Sequence, residues 1–175
     1  VSGRNKKAEE MRKALVDVPA RMQGNDIKVV DSALYLGMKV SQAGFRDSID
    51  KTVNHRIAKA WGRVAEVKAV INDSRMSRLG WLRAGATLIR SVIIPSLTYP
   101  ADVWVSMNKG TEKTLASAYK SMVYVIMDIT TNTKWTSVLA DLGLPNIMAV
   151  VDKLRINYFN HTLWGQGDVK LREIL

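Results

Sequence analysis

The stretch that decides the fold is residues 49–71, IDKTVNHRIAKAWGRVAEVKAVI. Ile49, Val53, Ile57, Ala60, Val64, Val67 and Ile71 recur at steps of three and four, which puts them on one side of a long helix. Gly44 closes the segment before it, and Asp47 or Ser48 suits the cap. On the margin of the apolar stripe stand Arg56, Lys59 and Arg63, within about a sixth of a turn of one another. Such a row of cations can meet a phosphate backbone. The competing account is that long basic side chains simply lie along a core-facing helix.

Toward the C-terminus the helical spacing continues. Residues 77–94 carry one stripe of Leu79, Leu82, Ala86, Ile89 and Ile93 and another of Trp81, Leu88 and Val92, the pattern of a central helix. Gly80 and Gly85 each cost about 1 kcal/mol against alanine, so close approach of a neighbour is expected there. Arg83 and Arg90 share a face, and Arg75 and Arg78 fall in or near the first turn, where cations oppose the helix dipole. Four arginines on or beside an otherwise apolar helix point to ligand contact. Pro95 and Pro100 are expected to end or kink it. Further helices are predicted over 111–128 (stripe Leu115, Tyr119, Met122, Ile126), 134–142, stopped by Gly143 and Pro145, and 146–163.

Toward the N-terminus, residues 5–17 predict a short polar helix, with Asn5 as its cap and Pro19 beyond its end. Two strand-like pieces follow, 27–30 and 34–40, set off by Gly24-Asn25-Asp26 and Asp31-Ser32. In LYLGMKV (34–40), Leu34, Leu36, Met38 and Val40 alternate with Tyr35, Gly37 and Lys39, and the short turn before it suggests a hairpin. An isolated hairpin is marginal in water and must pack on something, in this chain or outside it.

The 175 residues are 47% hydrophobic and 24% charged, enough for one packed domain or two small ones and too apolar for disorder. Without cysteine there is neither a disulfide framework nor a thiolate metal site, and His55 and His161 lack any ligand spacing. The charged start has no signal-peptide core, and its lack of an initiator Met suggests an excised fragment. The longest apolar run, SVIIPSLTYPADVWV, is broken by Pro95 and Pro100, so a soluble intracellular chain without a membrane partner is expected. The net charge is +10, and ten Lys/Arg against four acids fall between Gly44 and Pro100, while the last 75 residues are nearly neutral. A concentrated basic block is the footprint of a polyanion ligand; a solvated surface is the plainer alternative. Catalytic patterns are missing: the only adjacent acids are Glu9-Glu10, no glycines form a phosphate loop, and no serine or cysteine has nucleophile spacing. The chain alone is not expected to be an enzyme.

The ordered pieces NKKAEEM, ALYLGMKV, HRIAKAW and IIPSLTYPADVW resemble the region behind the palm of a LINE-type (non-LTR) retrotransposon reverse transcriptase. The tail LADLGLPNIMAVVDKLRINYFNHTL looks like the segment after the thumb in those enzymes. The resemblance spans most of the chain and rests on the order of the motifs. It departs at Pro100, where glycine is usual, and in lacking the palm's Asp-Asp pair and third aspartate. It implies a mainly α, thumb-like helical bundle with one small N-terminal β-hairpin, in three regions: a palm-edge helix and hairpin (1–43), a thumb (44–107) and a connector (108–175). Tyr35, Leu36 and Gly37 would be primer-grip-like, with Gly37 admitting close backbone approach to the primer end. The palm, absent here, would be the hairpin's packing surface. Arg56, Lys59, Arg63, Arg75, Arg78, Arg83 and Arg90 would lie along the template–primer duplex. The implied partners are nucleic acid (an RNA–DNA hybrid or DNA duplex, and the element's RNA) and the rest of the reverse transcriptase. No cofactor belongs to this fragment, Mg²⁺ being expected only in the missing palm. The implied location is nucleus and cytoplasm, as a ribonucleoprotein. Two other classes stay open. One is an autonomous helical nucleic-acid-binding module. The other is a helical protein-interaction or oligomerisation module using apolar faces and Met107, Met122, Met127 and Met148.

Overall fold

The structure is a computed structural model and describes residues 20–22, 25–27, 30–73, 77–105 and 107–164. The helix expected over 5–17, and Arg75, lie outside the described residues.

Phe45–Asp73 forms one helix, α1. Its buried side is the stripe read from the sequence: Ile49, Val53, Ala60, Val64, Val67 and Ile71 are buried, and Ile57 packs against them from the edge. Helix α2, Arg78–Leu88, starts at Ser77, whose Oγ accepts the Gly80 N–H at 3.2 Å. Pro95 does not end it. A π-helical turn, Ile89–Ile93, leads straight into α3, Ile94–Thr98, with Pro95 in its first turn. A proline ring crowds the carbonyl four residues back and offers no N–H. The wide turn relieves this: the Ile94 N–H bonds the Ile89 carbonyl five residues back, and the chain runs on past the proline. Ile89, Ile93 and Leu97 are buried along this composite helix.

A 3₁₀ turn, Ala101–Val103, precedes the fully buried Trp104. Helix α4, Lys109–Ile126, is capped by Asn108, whose side-chain oxygen accepts the Thr111 N–H at 2.9 Å. The Asn108 amide and the Thr111 hydroxyl both donate to Asp50, which fixes the start of α4 on α1. Leu115, Tyr119, Met122 and Ile126 are buried as their spacing requires. Helix α5, Trp135–Leu142, ends at Gly143 in the left-handed region (φ +59°), and α6 covers Ile147–Trp164. Tyr119 and Tyr124 meet the Trp135 ring edge-on, with centroids 5.7 and 5.8 Å away. Gly85 has the close neighbour its cost implied: a Cβ there would lie 2.6 Å from Met127 Sδ. Met122 and Met127 are therefore core residues, not surface available to partner helices.

The fold is mainly α with an N-terminal β-hairpin, as expected, but the strands are drawn differently. β1 (Ala20–Met22) pairs antiparallel with β2 (Asn25–Ile27), and β3 (Ser32–Tyr35) with β4 (Met38–Ser41), Tyr35 opposite Met38. Residues 34–40 are thus two arms and a turn, not one strand paired with 27–30. The turn is Leu36-Gly37, with φ +46° and +84°, the two-residue type I′ geometry. A two-residue loop preserves period-two alternation, so the pattern ran through the turn unbroken. The usual Asn-Gly cue was absent because leucine stands at the first position.

Candidate nucleic-acid interface

Helix α1 holds the hairpin through a ladder of polar side chains spaced by four. The Ser41 N–H donates to Ser48 Oγ at 2.9 Å, the Lys39 N–H donates to Thr52 Oγ1 at 2.8 Å, and Arg56 Nη2 donates to the Gly37 carbonyl at 2.8 Å. Four helical residues rise about 6 Å, and two strand residues about 6.6–6.8 Å. The rungs Ser48, Thr52 and Arg56 therefore stay in step with Ser41, Lys39 and Gly37. The outward backbone groups of β4, which an edge strand would otherwise leave open, are satisfied by the helix. All three rung residues are buried. Lys51 adds bonds to the Ser41 hydroxyl (3.0 Å) and Asp47 (2.9 Å). The Ser41 hydrogen bond first, and Lys51 second, hold the Asp47 carboxyl below its ordinary range. The hairpin is thus not left without a surface in this chain. Leu34, Tyr35 and Val40 on its two faces and Leu36 at its tip are exposed, Leu36 at 75%.

Arg56 is the centre of the joint. Its guanidinium bonds Gly37 and sits 4.6 Å over the Tyr99 ring, yet among the described residues it forms no ion pair with a carboxylate and its Nε–H has no partner. Burial pulls its pKa down from the ordinary arginine value, while Tyr99 acts the other way. Gly37 is required twice over. Its φ of +84° suits glycine, and a Cβ would collide with the Arg56 guanidinium and lie 2.5 Å from Tyr99 Cε1. The close approach at Gly37 within this chain is to Arg56 and Tyr99.

Lys59 and Arg63 are exposed on the same edge of α1, Arg63 paired with Glu66 at 2.6 Å. With Arg56 and Ser96 of α3 they line a cleft of about 310 Å³. His55, next to Arg56 along α1, has its pKa pushed down by burial first and then by Lys39, Lys59 and Arg56. On α2, Arg78 and Arg83 are exposed. Arg90 donates to the Leu142 and Gly143 carbonyls (2.9 and 2.7 Å), closing the end of α5. Arg83 of α2 and Arg90 of the π turn line a second groove with Leu79, Leu82 and Asp141, distinct from the α1 cleft. A third, largely apolar groove of about 780 Å³ runs from Tyr35, Leu36 and Met38 past Tyr99 and Pro100 to Tyr158 and His161 on α6.

Sequence reasoning missed Ser96, Tyr99 and the backbone roles of Arg56 and Arg90. Each acts across the fold, and spacing along one helix carries no sign of it. Among the described residues no cluster of His, Cys, Asp and Glu is suited to a metal, and no helix is long and apolar enough to cross a membrane. The cleft offers cationic donors from α1 and a hydroxyl from α3, the chemistry of an anion site. Comparison of the chain with protein-family models, curated proteins and solved structures finds no match.

Proposed function

We propose that this chain is a duplex-holding thumb and connector of a non-LTR reverse transcriptase, binding nucleic-acid backbone without sequence preference and without catalysis of its own. The reading rests on the ordered motifs and on one structural observation. Arg56 bonds the Gly37 carbonyl at the Tyr35-Leu36-Gly37 turn, and the same helix edge presents Lys59 and Arg63. Turn and cations are therefore one unit, as a device that grips a primer end and its adjoining backbone requires. Leu36, a non-glycine residue at φ +46° and largely exposed, adds a strained tip of the kind found at working sites. The rest of the polymerase, with its Mg²⁺-holding palm, would cover the hairpin's exposed side chains.

The test is equilibrium binding of the 175-residue chain to RNA–DNA and DNA duplexes of unrelated sequence over a range of salt. The expected result is similar affinity for every sequence and a linear fall of log K with log salt. Salt-independent or strongly sequence-dependent binding contradicts the proposal. A second reading, a protein-interaction module, draws on the exposed Leu34, Tyr35, Leu36 and Val40. It predicts a stable oligomer in size-exclusion chromatography and no salt-dependent duplex binding.

A further inference from the structure

We propose that the cleft bounded by Arg56, Lys59, Arg63 and Ser96 is a site for a single phosphate group, and that the group completes an arrangement the protein leaves unfinished. The proposal deepens the duplex-binding reading and rests on it for the source of that phosphate.

Three observations carry it. Arg56 is only 9% exposed, yet its charge meets a carbonyl and an aromatic face, with neither a carboxylate counter-ion nor a partner for Nε–H among the described residues. Burying a guanidinium without a countercharge is costly, and an anion in the adjoining cleft removes that cost. The second is convergence. Lys59 and Arg63 follow Arg56 by three and seven residues, which places all three on one side of α1, and Lys59 forms no ion pair among the described residues. The acid on this edge, Glu66, pairs with Arg63 while itself solvent-exposed. The third is Ser96, which comes from a different element. The hydroxyls of Thr87, Ser91 and Thr98 on the same composite helix each donate to the carbonyl four residues back. Ser96 has no such bond among the described residues, so its hydroxyl is available to the cleft.

The chemistry selects the ligand class. Two guanidinium groups, an ammonium and a hydroxyl present donors to a multi-oxygen anion, and arginine's fork matches phosphate oxygens in pairs. A cleft of about 310 Å³ is roughly ten times one water's ~30 Å³ share of the liquid. The group therefore enters with some of its water. Two sources share this chemistry: a backbone phosphodiester of a duplex, and a free or terminal phosphate.

The experiment is an NMR titration of the 175-residue chain with inorganic phosphate at fixed ionic strength, reading the Arg56 Nε–H and the Ser96 amide, with chloride as the control ion. The site predicts saturable shifts at both with phosphate and none with chloride. Ser96→Ala and Lys59→Gln should each weaken binding roughly tenfold, the loss typical of a charge-assisted hydrogen bond. Glu66→Gln should tighten it by releasing Arg63. Equal shifts with chloride, or an unchanged Kd in both Ser96→Ala and Lys59→Gln, overturn the site. Adding a DNA duplex with 5′-hydroxyl ends separates the sources. Displacement of phosphate by the duplex assigns the site to backbone. Phosphate binding that the duplex leaves untouched keeps the site, gives it to free or terminal phosphate, and removes support from the duplex reading. Salt-dependent duplex binding with a silent Arg56 Nε–H refutes the site and leaves the duplex reading standing.

Discussion

Helix α1 makes two joints of opposite character. Against the bundle it buries Ile49, Val53, Ala60, Val64, Val67 and Ile71, an apolar stripe pinned by side-chain hydrogen bonds, among the described residues, only at Asp50, where α4 starts. Against the hairpin it buries Ser48 and Thr52, bonded to the backbone of β4, and Arg56, bonded to the turn before it. Apolar contact is non-directional and tolerates small shifts, whereas a hydrogen-bond ladder fixes register. The bundle therefore supplies stability, and the hairpin joint supplies position, at the place where the cations gather. The difference is measurable: damage to the first joint should unfold the whole chain, and damage to the second should loosen the hairpin alone.

The largest effect is expected from Trp104→Ala. Trp104 is fully buried in the bundle, and its loss should cost about 3–5 kcal/mol in chemical denaturation. Gly37→Val should come next, at about 1–3 kcal/mol for forcing a branched residue into a strained backbone. In that variant, hydrogen exchange should speed up at the Lys39 and Ser41 amides and stay slow at Met122. Uniform acceleration across both regions would mean that hairpin and bundle form a single cooperative unit. Thr52→Val keeps the shape but removes the acceptor of the Lys39 N–H, a loss of about 1–2 kcal/mol confined to the joint by the same exchange measurement.

The smallest effect is a pH dependence. The folded-state pKa of His55 lies below its ordinary value of 6.5. The unfolded chain therefore takes up the proton first, so stability is full above that value and declines as pH falls through and below it. Asp47 acts in the same direction further down, its contribution being lost as pH falls below the ordinary 3.8. His55→Gln should remove the upper decline in thermal melting and leave the lower one. An unchanged upper decline would assign it to another group.

How much of this was legible in the sequence follows from where each interaction closes. The stripes of α1 and α4 were readable because burial on a helix repeats every three to four residues, and Gly143 ended α5 as a glycine does. The hairpin was half readable: its alternation showed, but a leucine at positive φ hid the turn. Pro95 misled because proline's usual effect is to stop a helix, and the π turn that absorbs it has no sequence signature. The site residues were readable only as charges. Arg56 finds its carbonyl 19 residues away and Arg90 one of its own 52 residues away, and nothing local distinguishes these from Lys59, which has no ion pair among the described residues. Ser96 became a candidate only when α3 was seen against α1.

The central claim is that the edge of α1 beside the hairpin, rather than net charge, meets nucleic-acid backbone. It is tested most directly by the salt dependence of DNA-duplex binding in two charge-matched variants. Arg56 is left intact in both because it also holds the turn. Lys59→Gln with Arg63→Gln should flatten the log–log slope by about 1–2 units, at roughly 0.9 per lost phosphate contact, and weaken binding on every sequence alike. Lys109→Gln with Lys113→Gln removes two exposed charges from α4 and should leave the slope nearly unchanged. Equal flattening by the two pairs would show that the cations act only through total charge, and the proposed α1 binding edge would be wrong.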